Sequence, residues 1–281
     1  MSRLTPRRAA VGVSALSALA GVLLARQRAS QFDRDIDRHV GELIAATDPQ
    51  TGTVTDADLD ALPDPIRRHL ERALEPDQPR IRRVKLHQNG EFRLGPRWHP
   101  FEATQWVSTR PPAFLWDATV ELAPLLPVRV VDRYQDREGV LDARVRSHVP
   151  VAQAGPGHAM NEGELLRCLA EAVWYQTVLA SDSIEWDPVD DDAAKATLRD
   201  GSVTASATFH VGSDAIERVT GRRYRQDEDS YAEWVGRFED YERRSGLLVP
   251  TAGEVAWKDG DGERPYWRAT VSESEYTFAR E

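Results

Sequence analysis

Two glutamates and one arginine lie at helical spacing in the middle of this chain. Glu164, Arg167 and Glu171 are separated by three and four residues, so in an α-helix they share one stripe and one guanidinium can bridge both carboxylates. If the stripe lined a cavity, a carboxylate of raised pKa could serve as an acid or base. The alternative is a structural Glu–Arg–Glu network, which perturbs pKa values without catalysis. The mutual compensation of these charges favours the structural network.

Trp174 and Tyr175 follow the charged stripe and extend the same side of this helix. The chain has eight tryptophans, of which the other seven are Trp98, Trp106, Trp116, Trp186, Trp234, Trp257 and Trp267. Alternation along strands would point several of them to one face. They would then form either an aromatic-lined pocket for an apolar ligand or the filling of a large core.

His148 ends a predicted strand, and it is the histidine that an enzyme would use together with these carboxylates. It could also converge in space with His99. The seven histidines form no HxH or HxxxH pair, so the sequence predicts no metal site. It also lacks a GxSxG nucleophile turn, a phosphate-binding loop and a dinucleotide fingerprint. We therefore expect no cofactor.

The charge balance excludes a general nucleic-acid binder, because the formal net charge is -10 and the pI is about 5.3. Only Lys85, Lys195 and Lys258 are lysines among 36 basic residues. This pattern fits a salt-adapted, halophilic surface or, equally, a GC-rich genome. The single cysteine, Cys168, excludes an internal disulfide and predicts a buried apolar residue.

The N-terminal residues 1–30 combine basic and apolar character. Arg3, Arg7 and Arg8 precede an uncharged run at 9–25, and further arginines follow it. The run predicts a single-pass, uncleaved signal-anchor, and the arginine bias favours an extracytoplasmic domain. A cleaved signal, or an Ala-rich helix of a cytosolic protein, remains the alternative.

The remaining chain divides into a helical preface at 31–79 and a β domain at 80–281. From residue 80 the apolar period becomes strand-like, with about ten strands, short connections and one inserted helix at 162–180. Short connections make neighbouring strands antiparallel. The predicted fold is α+β and mainly antiparallel. Its sheet is a strongly curved half-barrel or a barrel, with the helix on the concave side.

Several segments resemble a family of bacterial and archaeal proteins of unknown function. They are GEFR at 90–93, WHPFEATQ at 98–105, VPVA at 149–152, GELLRCLAEAVW at 163–174, EVAW at 254–257 and PYWR at 265–268. The family implies an architecture and no activity. The strand order is also similar to the half-barrel carriers of lipoproteins or lipids, which is an analogy of topology.

Three functions remain open at this level. The first is a membrane-anchored, non-enzymatic domain that binds a lipid or other apolar ligand. The second is a hydrolase or isomerase that uses Glu164, Glu171 and His148 in the concavity. The third is a structural or interaction domain without a ligand site. The predicted ligand-binding site comprises Glu164, Arg167, Glu171, Trp174, Tyr175 and His148.

Overall fold

The structure is a computed structural model that describes residues 6–49, 51–124, 126–213, 215–225, 228–260 and 262–280. Side chains are described from residue 23 onward. Residues 1–5 of the predicted anchor, and the side chains at 6–22, lie outside the described part. Within that part, no helix has both the length and the apolar character needed to cross a membrane.

The helices are α1 (Pro6–Ala46), α2 (Asp56–Asp60), α3 (Asp64–Ala73) and α4 (His158–Ala170). Thr55 caps α2, because its hydroxyl accepts from the backbone N–H of Asp58 while the Asp58 carboxylate accepts from the Thr55 backbone. Pro65 lies in the first turn of α3, where its missing N–H costs no hydrogen bond. Residues 31–79 therefore contain the end of α1 and the whole of α2 and α3.

In the described part of the chain, thirteen antiparallel strands form one sheet. They are β1 (Ile81–Leu94), β2 (Arg97–Thr109), β3 (Pro112–Ala123), β4 (Leu126–Gln135), β5 (Glu138–Val145), β6 (Val149–Ala154), β7 (Ile184–Asp190), β8 (Ala193–Asp200), β9 (Val203–Val211), β10 (Ile216–Arg225), β11 (Ser230–Arg244), β12 (Leu247–Asp259) and β13 (Gly262–Phe278). Their order is β6-β5-β4-β3-β2-β1-β13-β12-β11-β10-β9-β8-β7. The prediction of about ten strands was too low. The edge strand β6, for example, is exposed at nearly every residue and so lacks the alternation that marks a strand.

The sheet bends around α4. This helix contacts β5 near one edge of the sheet and β9 near the other, which a flat sheet would not allow. The two halves also meet directly, since the Tyr134 hydroxyl donates to Asp200 Oδ2 at 3.0 Å and Arg137 Nε lies 3.3 Å from Asp200 Oδ1. The predicted curved antiparallel sheet with a helix in its concavity is confirmed, and the sheet is open between β6 and β7.

The predicted single helix at 162–180 is wrong in its continuity. The α-helix begins earlier, at His158, and ends at Ala170. Two 3-10 segments follow, Glu171–Trp174 and Gln176–Ala180. Tyr175 separates them with φ −137° and ψ 54°, outside the helical region. Because 3-10 turns hold three residues each, the helical stripe does not continue past residue 171.

The convex face carries α1. Phe32 and Ile36 pack on Leu115 of β3 and Val131 of β4, with Trp106 of β2 beside them. Trp116, Phe101, α3, α4 and the 3-10 segments belong instead to the main core on the concave face. Because successive side chains of a strand point to opposite faces of the sheet, neighbouring residues of one strand belong to different faces.

Candidate functional site

The charged residues of α4 point into the concavity and form one ion network. Arg167 donates from Nε to Glu171 Oε1 at 2.7 Å and from Nη1 to Asp132 Oδ2 on β4 at 2.6 Å. Glu164 Oε2 lies 3.9 Å from the same Nη1. Arg167 thus lies between three carboxylates: Glu164 from its own helix, Glu171 from the residue that follows this helix, and Asp132 from the sheet.

Arg223 of β10 extends the network to the other half of the sheet, because its Nη2 donates to Glu164 Oε1. Two glycines permit this close approach. A Cβ at Gly139 of β5 would lie 2.9 Å from Glu164 Cγ and 2.8 Å from the Met160 carbonyl oxygen. A Cβ at Gly163 would lie 3.0 Å from Arg223 Nε. The charged stripe of α4 therefore packs directly against β5 on one side of the concavity and against β10 on the other.

Neutral side chains continue the network beneath the helix. Glu171 Oε2 accepts from Gln105 Nε2 at 2.5 Å, and Gln105 Oε1 accepts from Gln88 Nε2 at 3.1 Å. Gln88 Oε1 in turn accepts from Trp116 Nε1 at 2.8 Å. The guanidinium of Arg167 lies 5.6 Å from the Trp116 ring centroid. This buried series of hydrogen bonds fixes the position of Glu171. Its last member, Trp116, contacts Arg167 through its ring.

Three carboxylates and two guanidiniums leave this network with one excess negative charge if every group is ionised. Glu164 Oε2 and Asp132 Oδ1 are buried and accept no hydrogen bond from any residue that the structure describes. Burial raises the pKa of Glu164 to about 7, against the attraction of Arg223, and burial also raises the pKa of Asp132. A proton on Glu164 near neutral pH would remove the excess charge.

A group of half-buried aromatic side chains lies on the concave face near the network. We call it the aromatic mouth and define it as Phe92, Trp257, Tyr266 and Trp267. All four pack against the main core yet stay partly exposed. The Tyr266 ring stacks on Trp257 with centroids 5.8 Å apart and meets Phe92 edge-on at 5.9 Å. These rings form a preorganised apolar surface that opens to solvent.

The aromatic mouth and the ion network are in contact through the core. Trp234 Nε1 donates to the Tyr266 hydroxyl at 3.0 Å, and the positive charge of Arg223 acts on Tyr266. On the other side, Phe101 stacks on Trp267 with centroids 6.0 Å apart and meets Trp116 edge-on at 5.6 Å. The polar groups therefore form the inner end of the same concave surface.

The structure brings Glu164, Arg167 and Glu171 together and places the other predicted site residues elsewhere. Trp174 donates from Nε1 to the Pro250 carbonyl at 3.0 Å, in the core. The Tyr175 hydroxyl donates to the Cys168 carbonyl at 2.5 Å. His148 lies in the β5–β6 connection, where its Nδ1 is 2.8 Å from the Arg146 carbonyl oxygen. No hydrogen bond or ion pair of the described residues joins His148 to the network.

Sequence reasoning missed the strand partners of the helix, namely Asp132, Arg223 and Gln105. Each lies at a strand position whose side chain points to the concave face. The alternation of apolar and polar residues predicts an apolar side chain at such a position. Asp132, for example, lies between Val130 and Tyr134 on the concave face of β4. A charged residue at an inward position is the signal that could have identified it.

The space beneath α4 is filled. A void of about 20 Å³ remains there, bordered by Cys168, Leu169, Tyr175 and Leu198. Burial raises the pKa of the Cys168 thiol, which disfavours a nucleophilic thiolate. Among the described residues, no group of three or more His, Cys, Asp or Glu side chains could hold a metal ion. The aromatic mouth, whose four residues are partly exposed, is a part of the concavity that a ligand could reach.

Comparison with known proteins gives one sequence family and a set of remote structural likenesses. The model of a family of unknown function, DUF6544, matches residues 52–269. No curated protein matches the chain. A DUF1329 family protein from Desulfovibrio piger ATCC 29098 is similar with a TM-score of 0.42 and 10% identity, over 80% of this chain and 93% of that chain. The LolA superfamily protein NE2245 from Nitrosomonas europaea is similar with a TM-score of 0.40 and 10% identity, over 79% and 93%.

Proposed function

The chain belongs to DUF6544, a family of unknown function, and from its geometry we propose a non-enzymatic binding domain that holds an apolar or amphiphilic ligand, such as a lipid, against the aromatic mouth. One observation carries this proposal. Four aromatic side chains of the concave face pack on the core and remain partly exposed. Such rings offer a large contact area at low entropic cost.

The ion network supplies a polar inner end to this proposed site. Arg223 donates a hydrogen bond to Glu164 Oε1, and its positive charge acts on Tyr266. A ligand lying on the aromatic rings would bring its polar group towards this arginine. The proposed site therefore keeps Glu164, Arg167 and Glu171 as its floor and does not include Trp174, Tyr175 or His148.

The enzyme alternative has less support from the geometry. Glu164 and Glu171 are bonded to arginines and a glutamine, and no histidine of the described chain joins them. Proton transfer to a substrate needs an acid or base within hydrogen-bond reach of the reacting atom. Both carboxylates instead have the contacts of a structural network.

Titration with dansyl-labelled undecanoic acid tests the proposal, together with native mass spectrometry of the purified chain for a co-purified lipid. We expect saturable binding that Trp257→Ala weakens about tenfold, because loss of one aromatic contact costs about 1 kcal/mol or more. Trp98→Ala is the matched control. Trp98 and Trp106 lie on the same, convex face of β2. The Arg268 guanidinium lies 4.5 Å from the centroid of the Trp98 ring. No binding to the wild-type chain, or equal loss in both variants, would refute the proposal.

A second candidate, an interaction domain without a ligand site, is favoured by the filled core beneath α4. In that case the chain would not bind the dansyl probe, and the aromatic mouth would be covered by a protein partner. Absence of probe binding, combined with Trp257-dependent association in pull-down experiments, would support this second candidate over the first.

The cellular location belongs to the proposal as well. The basic residues before the apolar run at 9–25 support a membrane tether with the domain extracytoplasmic. Fractionation, followed by protease treatment of intact cells, should find the domain in the membrane fraction and accessible from outside. Recovery in the soluble cytoplasmic fraction would overturn this part.

A further inference from the structure

A polar pocket lies at the far end of β1 from the aromatic mouth. Its volume is about 340 Å³, and it lies between the start of β1, the end of β2 and the turn before β7. Arg80, Arg110, Ser181 and Ser183 line it together with the carboxylates of Asp58 and Asp182, and Val178 forms an apolar wall. Ile81 and Phe92 lie at opposite ends of β1, roughly 35 Å apart at the rise of an extended strand. The pocket and the mouth are therefore separate sites.

Arg80 is held firmly in this pocket. Its Nη2 donates to Asp58 Oδ2 at 2.8 Å and its Nη1 donates to the Ala180 carbonyl at 3.3 Å. Asp58 is itself fixed by the cap of α2, because Oδ2 also accepts from the Thr55 backbone at 2.8 Å and from the Thr55 hydroxyl at 2.7 Å. The guanidinium thus has a set orientation, so binding an anion there would cost little side-chain entropy.

Arg110 supplies a second cation, and its ion pairs are weaker than the hydrogen bonds that hold Arg80. Its side chain is 51% exposed and lies 3.3 Å from Asp182, which is 82% exposed, and 3.6 Å from Asp48. Exposed ion pairs of this kind contribute little, because water and salt screen them. Arg110 can therefore exchange these carboxylates for a ligand anion that also contacts Arg80.

The two serines present acceptors rather than donors. Ser181 Oγ donates its one proton to the Val178 carbonyl at 2.7 Å. The bond of 2.6 Å between the two hydroxyls must then use the proton of Ser183. The remaining lone pairs on Ser183 Oγ can accept from a hydroxyl of a ligand. The pocket thus combines guanidinium donors for an oxyanion with hydroxyl acceptors for a neighbouring alcohol.

We propose that this pocket binds a phosphorylated polyol, with the phosphate between Arg80 and Arg110 and an adjacent hydroxyl donating to Ser183. Guanidinium forks match phosphate oxygens in geometry and charge. The same chemistry occurs in a free polyol phosphate and in the phosphoglycerol head group of a lipid. The proposal goes beyond the proposed function, because it needs no contact with the aromatic mouth.

Calorimetric titration of the full chain with sodium phosphate, glycerol 3-phosphate and glycerol tests this inference. We expect glycerol 3-phosphate to bind more tightly than phosphate, and glycerol alone not to bind. Arg110→Gln should weaken glycerol 3-phosphate about tenfold or more, as expected for loss of a charge-assisted hydrogen bond. Ser183→Ala should weaken glycerol 3-phosphate but leave phosphate unchanged. Arg199→Gln is the matched control, since Arg199 is 57% exposed and pairs with an exposed Glu185 at 3.3 Å.

A second arm distinguishes the two sources. Binding to phosphatidylglycerol vesicles, with loss in Arg110→Gln and competition by glycerol 3-phosphate, would support the inference with a lipid source. Binding of the free compound alone would support it with a soluble source. No binding of any phosphorylated probe, or binding that Arg110→Gln leaves intact, would overturn it. Trp257→Ala should leave this binding unchanged, so failure here is distinct from failure at the aromatic mouth.

Discussion

Arg167 of α4 and Asp132 of β4 are joined by a hydrogen bond of 2.6 Å between Nη1 and Oδ2. The same helix is joined to β10 through Glu164 and Arg223. One stripe of side chains on a short helix therefore connects strands from opposite halves of the sheet. The charges inside the concavity hold the curvature of the sheet as well as the position of the helix.

Removal of this arginine should be costly. Arg167→Ala would leave Asp132, Glu164 and Glu171 buried without their shared partner, and we expect the free energy of unfolding to fall by roughly 3–5 kcal/mol. Urea denaturation at neutral pH measures it. Arg237→Ala is the control, because Arg237 pairs with Glu263 near the surface and should cost less than about 1 kcal/mol. Equal losses in the two variants would mean that the network is solvated.

Glu164 should make stability depend on pH near neutrality. Its pKa in the folded chain, about 7, lies above the ordinary 4.5 because the carboxyl is buried. The folded state then binds the proton more tightly than the unfolded state does. Protonated Glu164 therefore makes its full contribution to the free energy of unfolding below about pH 4.5, and this contribution is lost as pH rises through 7. Glu164→Gln should remove this fall in stability between pH 4.5 and 7. An unchanged pH profile in that variant would contradict the assignment.

His69 should act in the opposite direction. Its ring lies inside the core beneath α3, and burial lowers its pKa from 6.5 to about 4. The unfolded chain therefore binds this proton first, and roughly 3 kcal/mol of stability should be lost as pH falls from 6.5 to 4. His69→Gln should remove this loss of stability at acidic pH. The free energy of unfolding is measured in the Glu164→Gln background so that the two effects do not cancel.

Gly139 should be intolerant of a side chain. A methyl group there would lie 2.8 Å from the Met160 carbonyl oxygen and 2.9 Å from Glu164 Cγ, so α4 would have to move away from β5. We expect Gly139→Ala to destabilise the fold by about 1–3 kcal/mol. Gly155→Ala is the control, because a methyl group at that position would have no neighbouring atom within 4 Å. Thermal unfolding of both variants measures the difference.

Local spacing predicted the features that depend on neighbours in sequence. The i,i+4 ion pair of Arg167 with Glu171 follows directly from helical geometry. The short connections between predicted strands also indicated antiparallel neighbours, and β9 and β10 pair in this way. The family resemblance stated from the sequence motifs is also confirmed.

Tertiary relationships were not available from local spacing. Asp132 and Arg223 lie 35 and 56 residues from Arg167 in the chain, and only the bending of the sheet brings them to the helix. The end of α4 at Ala170 was missed for a similar reason. Residues 171–180 combine strong helix formers such as Ala172 and Leu179 with weaker ones such as Val173 and Thr177. Trp174 and Tyr175 take hydrogen-bond partners in the core that a continuous helix would not provide. Packing decided the conformation there.

The pairing of β1 with β13 has a consequence for how the chain folds. Ile81 lies opposite Phe278, so the central pair of the sheet joins segments from nearly opposite ends of the β domain. Closing so long a loop is slow, and contacts of high sequence separation delay folding. Until β13 arrives, β1 presents an unpaired backbone edge to other chains. Newly synthesised chains should therefore be most prone to aggregate in the interval before β13 pairs with β1.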